Sequence, residues 1–191
     1  MPEFTSYCDA VATLDPSDLH RHYHDTAYGF PITDDNQLFE RLVLEINQAG
    51  LSWTTILKKQ DAFHTAYDGF DVAKVAAYGE ADKARLLADA GIIRNRLKIE
   101  AAIHNANVIR SIQKDYGSFY LWLESHHPLN LQEWTKLFKQ TFRFTGGEIV
   151  NEFLMSTGYL PGAHTPDCPI YKKVAAKHPA WMKSKIKNHK S

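Results

Sequence analysis

The sequence has few cysteines and no long apolar segment. Only Cys8 and Cys168 occur among its 191 residues, and no apolar run approaches the roughly 20 residues that a membrane-spanning helix needs. The first residues lack the basic-then-apolar pattern of a secretory signal. We therefore expect a cytoplasmic protein, a compartment in which a structural disulfide is not expected.

The chain also lacks net charge, with 22 Lys and Arg against 22 Asp and Glu. The charges are unevenly distributed, because residues 172–191 contain seven lysines and no acidic residue. The other 171 residues carry 15 basic and 22 acidic groups, a net charge of −7. Such a body cannot bind nucleic acid through diffuse basicity and would need a focused contact surface. We predict a single domain over residues 1–171, which can comprise two closely packed lobes, followed by a basic tail over residues 172–191.

No segment shows sustained alternation of apolar and polar residues, which favours an all-α fold. Asp34 with Gln37 is typical of a capping box, and Gly50 of a helix end. These patterns predict helices over residues 34–49, 80–90, 95–113, 119–124, 131–141 and 148–157. The proline-containing stretch over residues 160–169 is predicted to be a loop.

Both cysteines are near histidines, at opposite ends of the chain. Cys8 and His24 form one pair, and His164 and Cys168, four residues apart on the predicted loop, form the other. A Cys2His2 set is the tetrahedral donor type that zinc prefers. Zinc-finger spacing is absent, and ten histidines make a chance pairing easy. With four protein ligands no position would remain for a catalytic water, so a bound metal would be structural and would tie the termini together.

A carboxylate is predicted to lie on the apolar face of a helix. Glu45 shares that face with the apolar positions 38, 42 and 49, and Trp53 follows shortly after. Tyr23 and Tyr28 flank His24. An acid with aromatic rings suits a flat, electron-poor heterocycle. Alternatively, Glu45 reaches solvent or an arginine at the edge of the face, and the aromatic rings fill the core.

Residues 87–101 predict two helices joined by a short turn that begins at Gly91. Free amide groups at the turn and at the start of the second helix could bind a phosphate. Arg94, Arg96 and Lys98 add positive charge beside it. The alternative is an ordinary helical hairpin with a solvated basic face.

Several segments together resemble the DNA-3-methyladenine glycosylase I family. They are YHD at 23–25, LEINQAGLSW at 44–53, KK at 58–59, FD at 70–71, VAA at 75–77 and DAGIIRNRLKI at 89–99. The resemblance runs from about residue 8 to residue 168 and is loose over residues 115–139. It implies an all-α helix–hairpin–helix DNA glycosylase fold. It also implies a zinc site, formed by Cys8, His24, His164 and Cys168, that joins the N- and C-terminal segments.

The resemblance further implies a role for each candidate site residue. Glu45 would be the catalytic pocket carboxylate, and the substrate-binding residues would be Trp53, Tyr23 and Tyr28. The DNA-binding residues would be Leu51, which fills the gap in the duplex, and the hairpin residues Gly91, Ile93, Arg94, Arg96 and Lys98. The implied activity is base-excision repair, in which a monofunctional hydrolase flips 3-methyladenine out of double-stranded DNA and removes it. We expect a monomer.

The sequence departs from the family pattern at Ala10, Tyr28, Ile46 and Asn47. Three of these positions are in the implied pocket, so the departures concern which lesions are accepted. A non-catalytic protein of the same fold that binds a lesion or a modified base is the main alternative. A zinc hydrolase is a second alternative, against which the four protein ligands and the lack of a His-Glu-x-x-His motif argue.

Overall fold

The computed structural model describes residues 5–187, and these contain helices and no strand. The all-α prediction is therefore confirmed for this part of the chain. One short 3-10 turn, Asp68–Phe70, lies between α4 and α5. The helices are α1 Tyr7–Ala12, α2 Leu19–Thr26, α3 Asp35–Gln48, α4 Trp53–Ala66, α5 Val72–Ala76, α6 Glu80–Ala88, α7 Arg96–Tyr116, α8 Phe119–His126, α9 Leu131–Thr141, α10 Gly147–Ser156, α11 Pro169–Ala175 and α12 Ala180–Lys187. Within the described residues, none of these helices has the length and apolar character needed to cross a membrane.

The chain divides into two compact units. The terminal unit comprises Met1–Ile32 and Asn151–Ser191, and the central unit comprises Thr33–Val150. One of the two boundaries between them in sequence precedes α3, and the other falls within α10. The described part of the predicted basic tail, residues 172–187, contains the end of α11 and all of α12 and belongs to the terminal unit.

The central unit is built around α7, against which α3, α5, α6 and α8 pack. This 21-residue helix buries apolar residues at helical spacing, among them Ile99, Ile103, Ala106 and Ile109. An aromatic cluster formed by Phe119, Trp122, Phe138 and Phe142 adds to the core at α8 and α9. Burial of these large side chains supplies most of the driving force for folding of this unit.

The helix ends follow the capping residues that the sequence offers. The Asp34 side chain accepts a hydrogen bond from the Gln37 amide, so α3 begins where the capping pattern predicts. The predicted helix over residues 131–141 matches α9, whose N-terminus has a capping box of Asn130 and Glu133. Helix α6 ends at Ala88, two residues earlier than predicted, and Asp89 accepts a hydrogen bond from the Gly91 amide instead.

Candidate functional site

The structure brings both Cys/His pairs together in one buried cluster. The ligand atoms of Cys8, His24, His164 and Cys168 all lie within 4.8 Å of one another. All four side chains are buried and lie in the terminal unit. Cys8 is on α1 and His24 in the last turn of α2, whereas His164 is in the loop before α11 and Cys168 is the N-cap of that helix. The cluster therefore joins segments from both ends of the chain.

The distances within the cluster fit a tetrahedral metal. His24 Nε2 lies 3.3 Å from Cys8 Sγ and 3.7 Å from Cys168 Sγ. His164 Nδ1 lies 3.7 and 3.8 Å from the same two sulfur atoms, and the two nitrogens are 3.2 Å apart. Ordinary zinc–sulfur and zinc–nitrogen bond lengths give tetrahedral edges of about 3.6 Å for S···N and about 3.3 Å for N···N. The residues could therefore hold a four-coordinate metal ion without rearrangement.

Hydrogen bonds to the outer nitrogens fix the orientation of both histidines. The Asp25 carboxylate accepts from His24 Nδ1 at 2.7 Å, and Arg21 Nε donates to the same carboxylate at 3.1 Å. The Tyr28 carbonyl accepts from His164 Nε2 at 2.8 Å. Each outer nitrogen therefore carries the proton, which leaves a lone pair on the nitrogen facing the cluster. Such partners are typical of metal-binding histidines.

The pKa directions around the cluster agree with this arrangement. Burial lowers the pKa of His164, which favours the neutral imidazole that can act as a ligand. Burial alone would raise the pKa of Asp25, but the hydrogen bonds from His24 and Arg21 outweigh it and the net pKa is lowered. Burial also raises the pKa of the Cys168 thiol, a tendency that a bound cation would reverse by stabilising the thiolate.

A close backbone approach at Gly29 permits this packing. Gly29 has a φ of +80°, and a Cβ atom there would lie 2.8 Å from Ala163 Cβ and 3.3 Å from His164 Cδ2. A larger residue would therefore push away the loop that carries His164. Glycine is also the residue that adopts this φ at no steric cost.

Glu45 is buried, as its position on the apolar face of α3 predicts. It is 4% exposed, and Arg41, one helical turn earlier, is 8% exposed. The neighbouring Asn47 is also buried, and its amide donates to the Val43 carbonyl at 2.8 Å. A charge in this position is costly unless it is paired or used. The burial argues against the alternative in which Glu45 reaches solvent.

A tight turn over residues 49–52 connects Glu45's helix to Trp53. Gly50 has a φ of +82°, and the Leu51 amide donates to the Gln48 carbonyl at 2.7 Å. The Ser52 side chain accepts from the Thr55 amide and caps α4, of which Trp53 is the first residue. Leu51 is 37% exposed at the tip of the turn. The central unit therefore contains the predicted carboxylate, stacking ring and gap-filling leucine on consecutive elements.

Tyr23 and Tyr28 are buried in the terminal unit, next to the cluster of two cysteines and two histidines. Their ring centroids are 5.6 Å apart, and the Tyr28 ring lies 5.7 Å from that of His164. The Tyr28 hydroxyl donates to Glu152 Oε2 at 3.3 Å. Tyr28 therefore supports the cluster through its backbone carbonyl, its ring and its hydroxyl. Its predicted substrate-binding role stays a prediction, as does that of Tyr23.

The two helices predicted around Gly91 are α6 and α7, and residues 89–95 join them. A Cβ atom on Gly91 would lie 3.0 Å from Ala62 Cβ and 2.9 Å from Asp89 Oδ1, so the turn packs closely against α4. Arg94 and Arg96 are exposed, and Ile93 is partly exposed. Lys98 differs from them, because its Nζ donates to the carbonyls at 47 and 49 at 3.0 and 2.9 Å. The structure therefore gives Lys98 an internal partner that the sequence pattern did not indicate.

A second helical hairpin joins α9 to α10, as the helices predicted over residues 131–141 and 148–157 imply, and the sequence analysis did not note its basic residues. Lys136, Lys139 and Arg143 are exposed there. Phe144 is 47% exposed with a φ of +60°. Asn105, fully buried on α7, holds the hairpin through hydrogen bonds to the amide and the carbonyl of residue 143, at 2.8 and 3.1 Å. The lysines of the predicted helix and the arginine just after it are the sequence signal that could have indicated this basic surface.

Comparison with known proteins agrees with the all-α fold. Residues 13–134 match the family described as methyladenine glycosylase. DNA-3-methyladenine glycosylase 1 of Escherichia coli is 37% identical, and the match covers 80% of this chain and 91% of the relative. DNA-3-methyladenine glycosylase of Haemophilus influenzae is 34% identical, with 79% and 91% covered. The structure of 3-methyladenine DNA glycosylase I from Staphylococcus aureus matches with a TM-score of 0.74 and 34% identity, covering 84% of this chain and 94% of that one.

These matches define the class of protein, which is a DNA glycosylase with an all-α fold. The chain belongs to the methyladenine glycosylase family.

Proposed function

We propose that this protein is a monofunctional DNA-3-methyladenine glycosylase that hydrolyses the N-glycosyl bond of 3-methyladenine during base-excision repair. The observation that carries the proposal is the buried Glu45, one tight turn before Trp53, in a chain of this family. The names of the relatives state the same activity for those proteins.

The chemistry requires little acid catalysis from the protein. A base inside a duplex must first be flipped out, at a cost of a few kcal/mol. Adenine methylated at N3 is cationic and already a good leaving group. The Glu45 carboxylate would accept a hydrogen bond from the exocyclic amine and favour the positive charge. The Trp53 ring would stack on the base through a cation–π contact. Neutral adenine offers neither the charge nor the labile bond, which gives selectivity.

The exposed Leu51 suits the place that the flipped base leaves in the duplex. It lies at the tip of a turn whose ends are fixed by the last turn of α3 and the first turn of α4. An apolar side chain held in this way can replace the stacking that the extruded base loses. For backbone contact we propose the exposed Arg94 and Arg96 beside the turn over residues 89–95.

We infer that the metal of the Cys2His2 cluster is zinc and that its role is structural. The donor set, the edge lengths and the second partners of both histidines support this inference. A bound zinc ion would link the segments that carry Cys8 and Cys168 and add its binding energy to folding. Because the protein supplies four ligands, catalysis would rest on the residues of the pocket.

The test of the activity is release of free base from methylated DNA. Duplex DNA treated with a methylating agent is incubated with the purified protein, and the released bases are identified by mass spectrometry. We expect 3-methyladenine in the soluble fraction and no strand cleavage. Tight binding to methylated duplex without release of any base would favour the non-catalytic lesion-binding alternative.

A further inference from the structure

Two lysines of the central unit hold the Leu51 turn and the hairpin together. Lys98, in the first turn of α7, donates through Nζ to the carbonyls of Asn47 and Ala49 at 3.0 and 2.9 Å. These are among the last carbonyls of α3, which have no partner within the helix. A cation at a helix C-terminus is also favoured by the helix dipole. Lys98 thus caps the helix that carries Glu45.

Lys59 makes a second link in the opposite direction. It lies on α4, the helix that follows the Leu51 turn, and its Nζ donates to the carbonyls of Ala90 and Gly91, both at 3.0 Å. These two carbonyls belong to the turn of the hairpin. Lys98 therefore links the second helix of the hairpin to the start of the Leu51 turn. Lys59 links the helix that follows the Leu51 turn to the turn of the hairpin.

We propose that Lys98 and Lys59 are positioning residues that fix the Leu51 turn relative to the hairpin, and that neither contacts a DNA phosphate. This inference rests on the proposed function. Each ammonium group donates two of its three N–H groups to backbone carbonyls. Hydrogen bonds from a charged donor are stronger than those between neutral groups. Partial burial lowers the pKa of Lys98, in agreement with an ammonium group that lies against the end of α3.

The functional consequence follows from the position of Leu51. When the hairpin binds the DNA backbone, the two links place the Leu51 turn at a fixed height relative to that backbone. Misplacement of a reacting or positioning group by about 1 Å can cost roughly 100-fold in rate. Loss of a link should therefore slow base excision while leaving the number of phosphate contacts unchanged.

Arg94 and Lys114 provide matched comparisons. Arg94 is exposed beside the same turn and forms no hydrogen bond or ion pair within residues 5–187, so it is free to meet a phosphate. Lys114 is exposed on the same helix as Lys98, about 24 Å away at 1.5 Å per residue. Replacement of Lys98, Lys59 or Lys114 by methionine removes the same charge and keeps a side chain of similar length.

The first experiment measures the salt dependence of binding to duplex DNA for the full chain and for Lys98→Met, Lys59→Met, Arg94→Met and Lys114→Met. Each lost phosphate contact should reduce the slope of log K against log salt by about 0.9. We expect that reduction for Arg94→Met alone. A slope reduced by about 0.9 in Lys98→Met or Lys59→Met would overturn the proposal for that residue.

The second experiment measures single-turnover excision of 3-methyladenine at saturating enzyme. We expect Lys98→Met and Lys59→Met to lose roughly 10- to 100-fold in rate and Lys114→Met to match the wild type. In a Leu51→Ala background, Lys98→Met should cost much less than in the wild type, because it acts through the same turn. Fully additive losses, or a wild-type rate in both lysine variants, would contradict the positioning role.

Thermal melting of every variant provides the folding control. If Lys98→Met does not fold, the salt slope and the excision rate are measured on Lys98→Gln and Lys59→Met instead. Failure of the proposed function would appear as no base release by the wild-type protein. Failure of this inference would appear as a changed salt slope or as additive losses in an active enzyme.

Discussion

Replacement of Cys168 by serine tests the metal centre with little change in packing. The cysteine is 7% exposed, and its sulfur lies 3.7 Å from His24 Nε2 and 3.8 Å from His164 Nδ1. Serine is close to it in size but is a poor zinc ligand at neutral pH. The substitution should therefore weaken metal binding without opening a large cavity.

The expected loss of folding stability follows from the length of the loop that the metal closes. A cross-link between residues 8 and 168 closes a loop of about 160 residues, which in the chain-entropy treatment stabilises the folded state by about 5 kcal/mol. Because the other three ligands remain, we expect a loss of about 3–5 kcal/mol. For a chain of this size each kcal/mol corresponds to roughly 2–4 °C, so the melting temperature should fall by about 6–20 °C.

Calorimetry and elemental analysis check this expectation together. Wild-type protein purified without added metal should contain about one equivalent of zinc, and Cys168→Ser should contain much less. His22 is an exposed histidine on the same helix as His24. Its replacement, His22→Ala, is the control and should change neither the zinc content nor the melting temperature. Retention of a full equivalent of zinc and of the wild-type melting temperature by Cys168→Ser would show that this cysteine is not a ligand.

Three further substitutions have defined outcomes. Glu45→Gln should stay folded and slow single-turnover excision of 3-methyladenine by roughly 10- to 150-fold, the value of one charge-assisted hydrogen bond of about 1.5–3 kcal/mol; a wild-type rate would make Glu45 structural. Asp25→Asn removes the charged partner of His24 and should weaken zinc affinity by about 10- to 100-fold in a competition assay with a chelator, and unchanged affinity would count against the tetrahedral site. Asn105→Ala removes two partly buried hydrogen bonds to the backbone of Arg143 and should destabilise the protein by about 2–4 kcal/mol in urea unfolding, whereas a change under 1 kcal/mol would show that other contacts hold the hairpin.

Helices with clear end signals were predictable from the sequence. Helix α9 has a capping box, and α3 begins at its predicted N-cap and ends just before a glycine with positive φ. Helix α4 was missed although Ser52 caps it and Ile56, Leu57, Phe63 and Ala66 are its buried residues. These signals are local, because they depend on residues that lie within one or two turns of each other.

The short helices of the terminal unit could not be predicted in the same way. Helices α1 and α11 have six and seven residues, which is too short for stability without tertiary packing. They carry Cys8 and Cys168 into a buried cluster with Ile170 and Val174. Their structure therefore depends on contacts between segments that are far apart in sequence.

The same distinction applies to the site. The pairing of the two cysteines with two histidines was visible in the sequence, and so was the inward position of Glu45. The partner of Lys98 was not, because the carbonyls that it binds lie about 50 residues earlier. In the sequence, a basic residue beside a glycine turn predicts a phosphate contact for Arg94 and Lys98 alike. Only the fold shows that the Lys98 ammonium group already binds backbone carbonyls.

The most direct test of the account is mass spectrometry of the bases that the purified protein releases from methylated duplex DNA. The account predicts release of 3-methyladenine, no release of adenine, and slower release by Glu45→Gln under single-turnover conditions. If the folded wild-type protein, with its zinc content verified, releases no methylated base, the proposed activity is contradicted.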